Sequence, residues 1–195
     1  MKQSAHFNPK STSWVISLVV MIAVSAAVIF GSEAIYGSAN KKYTEPVEVD
    51  FTIASTQDID IAGTNAADYN VTAVEEAYDT AGALVGYVVK GTTVGYNAEE
   101  PIELAVTISA DGTLVLGIDV LRQKETEYLG EKIATDAFKG QFTGRYLPVV
   151  IAGETAQGSP IDAISKATIS SKAVVDGVNR AQEFVLANYT VSAAE

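Results

Sequence analysis

The chain has 195 residues, of which 24 are acidic and 13 basic, giving a formal net charge of −11, with no cysteine and one histidine. The lack of cysteine excludes disulfides, thiolate nucleophiles, Cys-ligated iron–sulfur clusters and c-type haem attachment. The single imidazole, His6, precedes a long apolar run, so the rest of the chain has no Ser-His-Asp triad, histidine-bound zinc or haem ligand.

That run is the first element. Uncharged sequence extends from Ser11 to Ser32, with the apolar part from Trp14 to Phe30. About 20 helical residues cross a ~30 Å hydrocarbon core, so the length predicts an uncleaved transmembrane anchor. A cleaved signal peptide is the alternative, with Lys2 and Lys10 as its positive region and Gly37-Ser38-Ala39 as its cut site. The run exceeds the usual ~7–15 residues of such a peptide. Lys2 and Lys10 before the span, against Lys41 and Lys42 after it, lean slightly toward a cytoplasmic N-terminus. Residues 31–195 hold all 24 acidic groups and 11 basic ones (13 less Lys2 and Lys10), a net −13. Such a domain is repelled by nucleic acid and by anionic lipid. The expected division is 1–10 cytoplasmic, 11–32 anchor, 33–45 linker and 46–195 extracytoplasmic domain.

Within the domain, Val47, Val49, Phe51 and Ile53 alternate and predict a strand. Asp58 to Asp68 reads as a loop. Asn70 to Tyr78 reads as a strand with Val71, Ala73 and Ala77 inward, or as a short helix. Ala83 to Lys90, Ile102 to Ser109 and Thr113 to Leu121 predict an antiparallel meander, and Asp111-Gly112 between the last two is a hairpin signal. Gly130 opens a helical stretch with Ile133, Ala137 and Phe138 on one face, ending at Gly140 or Gly144. Pro148 to Ile151 is a short strand, followed by a Gly-rich turn up to Pro160. Ser171 to Asn188 is an amphipathic helix with Val174, Val178, Ala181 and Val185 inward. Lys172, Asp176, Arg180 and Glu183 surround that stripe, and Ser170 or Ser171 is its N-cap. The fold class is α+β, an antiparallel sheet with packed helices.

The segment Asp162 to Val174, DAISKATISSKAV, is a hydroxyl-rich turn entering this last helix. A helix N-terminus exposes free amides and the positive pole of the dipole, which favours a phosphate, and Lys166 and Lys172 add charge. The alternative is that Ser and Thr cap a helix whose lysines are solvated.

The run D-A-I-S-K-A-T resembles the flavinylation motif D-x-x-S-G-A-T of the covalent FMN-binding domain family, with Asp162, Ser165, Ala167 and Thr168 at matching places and Lys166 where that family has Gly. Glu125-Thr126-Glu127-Tyr128-Leu129-Gly130-Glu131-Lys132-Ile133 likewise resembles an E-T-P-G-L-G-x-K-I element, with Glu127 and Tyr128 replacing Pro-Gly. The similarity runs from about Ala83 to Asn188. With the single span, the chain resembles the G subunits of Rnf-type ion-translocating electron-transport complexes.

The resemblance implies FMN held by a phosphoester on Thr168, installed by a flavin transferase from FAD. Ser165, Ala167, Ile169, Ser170 and Lys172 stand beside it as candidate cofactor residues. Glu125, Thr126 and Leu129 are implied to line the flavin; read without the family they are a loop and a helix start. Tyr96 is implied near the isoalloxazine ring, or is a turn and core residue. The implied role is a redox component passing electrons between ferredoxin and NAD, with membrane and peripheral subunits as partners and no independent catalysis. Alternatives are the C subunit of a sodium-pumping NADH:quinone reductase, a stand-alone anchored flavoprotein, or a cofactor-free adhesion domain.

Overall fold

The computed structural model describes residues 43–49 and 52–190. The expected span at 11–32, most of the linker and Phe51 lie outside them. Among the described residues no helix is long and apolar enough to cross a membrane.

Six strands, β1 (Ser55–Ile59), β2 (Val71–Tyr78), β3 (Leu84–Thr93), β4 (Ile102–Ser109), β5 (Leu114–Arg122) and β6 (Arg145–Tyr146), form one sheet in chain order. Every neighbouring pair is antiparallel. Two short strands, β7 (Val149–Ile151) and β8 (Ser159–Ile161), pair in parallel beside it. Short 3-10 turns lie at Ala66–Tyr69 and Gly130–Ala134, followed in the second case by a one-turn helix α1 (Asp136–Lys139). The long helix α2 (Thr168–Asn188) packs against β3, β4 and β7. The α+β architecture expected from the sequence is therefore present.

Strand β4 alternates as its sequence requires: Ile102, Leu104, Val106 and Ile108 are buried and the residues between them are not. Helix α2 closes over that face with Val174, Val178, Ala181 and Val185, as the stripe predicts, and adds Phe184. Full burial of each large side chain contributes roughly 1.5–3 kcal/mol relative to exposure, so this contact is the main cohesive layer. Arg180, which borders that stripe, is partly buried, and its Nη2 donates to Thr93 Oγ1 at 2.7 Å.

The β4–β5 hairpin turns where Asp-Gly predicts. Gly112 has φ 72° and its amide donates to the Ser109 carbonyl at 2.8 Å. The Asp111 carboxylate accepts the Ser109 hydroxyl at 2.5 Å and the Thr113 amide at 3.0 Å. Burial alone raises the Asp111 pKa; these hydrogen bonds together outweigh it and hold the group below its ordinary value. A depressed folded-state pKa stabilises the fold above the ordinary aspartate range, and that contribution disappears as pH falls through and below it. Comparison of wild type with Asp111→Asn by thermal unfolding should therefore show a stability gap at neutral pH that closes in acid. A gap independent of pH would refute this account.

Four expectations are corrected. The strand predicted at Val47–Ile53 is absent from its described residues: Val47 is 39 % exposed, and its amide donates to the Gly144 carbonyl at 2.8 Å. The edge strand begins instead at Ser55 and takes Asp58 and Ile59 from the predicted loop, because main-chain pairing with β2 supplies what its polar side chains do not. In β2, a register shift between Val71 and Ala73 leaves Thr72 unpaired. Such a bulge moves the inward set on by one residue, so Val74, not Ala73, joins Val71 in the core, while Ala77 is buried opposite Gly86 and outside that core. The helix predicted after Gly130 is interrupted at Thr135, whose ψ of 148° is extended, so Ile133 and Phe138 are buried but Ala137 is exposed. Helix α2 starts at Thr168, with Ala167 at the N-cap position and no side-chain cap. Ser170 and Ser171 are buried inside its first turn.

Candidate functional site

Three connections converge at one end of the sheet: the segment after β3, the segment after β5, and the loop entering α2. They enclose a cleft of about 420 Å³, within the range of sites that take cofactor-sized ligands. Tyr96 comes from the first segment, Thr126, Leu129 and Gly130 from the second, and Lys166, Ala167, Thr168, Ile169 and Ser170 from the third. Seven of the candidate cofactor residues thus meet in one lining, with Gly130 and Lys166 beside them. Thr168 is exposed as the first residue of α2, and Tyr96 and Ile169 are 66 % and 55 % exposed.

Glu125 stands behind this lining. It is buried, and its carboxylate accepts the Ser170 hydroxyl at 2.5 Å and the amides of Tyr96 and Asn97 at 3.0 and 3.1 Å. One side chain therefore joins all three walls of the cleft. Two glycines make room for it. A Cβ on Gly95 would meet Glu125 Oε1 at 2.4 Å, and one on Gly130 would meet Glu125 Cβ at 2.7 Å and Ser170 Oγ at 2.8 Å.

The loop is shaped by the hydroxyl of Ser171, which accepts the Ile164 amide and donates to the Ala167 carbonyl, both at 3.0 Å. The Ser171 amide makes the first helical bond, to Ala167 at 3.0 Å. The amides of Thr168, Ile169 and Ser170 consequently have no partner within the helix. The N-cap residue, Ala167, supplies no side-chain cap, and no acidic residue occupies the first turn. Such an end attracts a phosphate, and Thr168 carries an exposed hydroxyl there.

Two other candidates fall outside the lining. Ser165 is exposed on the loop. Lys172 pairs with Glu154 at 2.5 Å, a hydrogen bond that raises its pKa above the ordinary lysine value.

The departures from the glycine-bearing motifs are visible in the backbone. Lys166 has φ 64° and Tyr128 has φ 60°, so both keep the left-handed conformation that glycine adopts freely. An L side chain loses roughly 1–2 kcal/mol there, partly offset by the greater chain entropy that glycine surrenders on folding. Tyr128 is 74 % exposed, and its amide donates to Glu131 at 2.7 Å. Tyr128→Gly should accordingly stabilise the protein by about 0.5–1 kcal/mol, measured by denaturant unfolding. A loss of stability would show that the ring has contacts outweighing the backbone strain.

Residues 95–183 match the FMN-binding domain family, a stretch containing every segment that builds the cleft. Over 187 residues the chain is 34 % identical to the G subunit of the ion-translocating oxidoreductase complex of Methanosarcina acetivorans, covering 90 % of this chain and 95 % of that protein. Over 103 residues it is 45 % identical to the G subunit of the Na(+)-translocating ferredoxin:NAD(+) oxidoreductase complex of Acetobacterium woodii, about half of each chain (50 % and 48 %). Among solved structures, the C subunit of the Na(+)-translocating NADH-quinone reductase of Parabacteroides distasonis shares the fold, with a TM-score of 0.55 and 21 % identity over 73 % of this chain and 80 % of that one. The chain belongs to the family of ion-translocating oxidoreductase complex G subunits, and residues 95–183 are its FMN-binding domain.

Proposed function

We propose that this chain relays electrons in an Rnf-type ferredoxin:NAD oxidoreductase complex through FMN bound as a phosphoester on Thr168. The observation that carries this is the position of Thr168: an exposed hydroxyl at the first residue of a long helix, beside uncapped amides and opening onto the cleft of the FMN-binding domain. Attachment by a flavin transferase forms one bond from Thr168 Oγ to the FMN phosphorus of FAD, releasing AMP and a proton. The amides of Thr168, Ile169 and Ser170 would hold the FMN phosphate. Tyr96, Leu129 and Ile169 offer the flavin an apolar wall, and Glu125 keeps that wall assembled from behind. Bound FMN supplies the one- and two-electron chemistry; the protein supplies attachment, orientation and local charge. This division suits a domain without cysteine or histidine.

The uncharged run Ser11–Ser32 anchors the chain in the cell membrane, with residues 46–195 on the extracytoplasmic side. Its partners are the membrane and peripheral subunits of the complex.

Production of the full chain with a flavin transferase, followed by denaturation, should give flavin fluorescence on the polypeptide and a mass gain of FMN less water. A chain that stays unmodified with an active transferase would refute the proposal.

A further inference from the structure

Among the described residues, Lys166 is the one ionisable cationic or acidic residue in the lining of the cleft. It is exposed, and it has no ion pair with another described residue, whereas Lys90, Lys139 and Lys172 are each paired with a carboxylate. It lies in a domain whose net charge is strongly negative. Its backbone holds φ 64°, a conformation that disfavours every residue except glycine and, to a lesser degree, asparagine or aspartate. Strained positions of this kind gather where a side chain is needed at a site. A cationic residue thus lines the cleft at a backbone position ill suited to carrying it.

We infer that Lys166 is a potential-tuning residue: it stabilises the reduced state of the ligand in this cleft and raises its midpoint potential. The inference rests on the FMN reading. Two electrons and one proton leave the flavin ring with one more negative charge than the oxidised form. An ammonium lining the same cleft favours that state over the oxidised one. The acidic groups elsewhere in the domain act in the opposite sense, so Lys166 supplies a local correction to the field of the whole domain.

The test uses the full chain in detergent, flavinylated and quantified by mass, with the electrode supplying the electrons in spectroelectrochemical titration at slightly alkaline pH. Lys166→Gln should move the reduction equilibrium about tenfold toward the oxidised form, a fall of about 30 mV for a two-electron couple. Lys166→Arg should keep the wild-type value. Lys166→Gly, which removes the charge and relieves the backbone, should match the glutamine variant while unfolding at a higher temperature than wild type. Added salt should shrink the difference between wild type and Lys166→Gln through screening.

Fully loaded Gln and Gly variants with the wild-type potential would overturn this inference alone. A Gly variant at the wild-type potential beside a shifted Gln variant would also overturn it, because charge would not be the cause. Wild-type chain without flavin on Thr168 would overturn the underlying FMN reading as well, and the mass measurement identifies that case before any titration.

Discussion

Thr168→Ala should carry no covalent flavin, with fluorescence on the denatured chain falling to background while the fold is retained. Thr168 is exposed, and surface substitutions of this kind typically change stability by less than about 0.5 kcal/mol. Loss of label would therefore report the missing hydroxyl and not an unfolded domain. The neighbouring hydroxyls make the experiment discriminating. Ser170 is buried and donates to Glu125 at 2.5 Å, and Ser171 is buried and bonded to the loop. Ser165 is exposed but lies outside the cleft lining. Intact mass and peptide mapping check the result, and a label persisting on Ser165 would relocate the attachment point. Thr168→Ser keeps an oxygen at the same helix position and should retain measurable label.

Glu125→Ala should be the most destabilising single change at the site, by about 2–4 kcal/mol. It strips the acceptor from the Ser170 hydroxyl and from the amides of Tyr96 and Asn97. A buried donor left unsatisfied costs roughly 1–3 kcal/mol, and the partial access of the two amides to water moderates the total. Glu125→Gln keeps an acceptor oxygen and should lose less. A double-mutant cycle with Ser170→Ala isolates the direct pair, since residues sharing a hydrogen bond couple by about 0.5–3 kcal/mol. Denaturant unfolding of the flavin-free chain measures each value. A Glu125→Ala midpoint equal to wild type would contradict the role of Glu125 as the tie between the three walls. The same variant should label more slowly, because Thr168 and Ser170 share the first helical turn.

Much of the meander was legible in the sequence. Ile102–Ser109 alternates so regularly that its buried face is written in the residues, and Asp111-Gly112 supplies both the side-chain acceptor and the positive φ of the turn. Alternation misled at Val47–Ile53, because a periodic pattern states a preference for a half-buried surface and does not provide a neighbouring strand. It also missed β8, whose Ser-Pro-Ile sequence looks like the end of a turn until β7 lies alongside it. The bulge at Thr72 is an accommodation between two strands and has no signature in either one.

The site divides along the same line. Motif spacing marks the exposed Thr168, and six of the residues that it and its companion element suggested line one cleft together with Tyr96. Helix-capping preference pointed to Ser170 and Ser171 as caps, yet both hydroxyls are drawn into tertiary bonds and the helix begins earlier. Lys166 and Tyr128 both stand in the sequence as departures from glycine. The folded backbone shows that the glycine conformation is kept at both.

What the residues dictate locally is the strand alternation, the Asp-Gly turn, the apolar stripe of the last helix and the hydroxyl at Thr168, since each depends on neighbours a few positions away. What only the fold decides is that Glu125 faces Ser170 across 45 positions of sequence, that Lys172 is taken up by Glu154 while Lys166 is among the residues lining the cleft, and that three separate connections share one buried carboxylate. Those choices depend on which groups are desolvated together, and desolvation is a property of the packed chain.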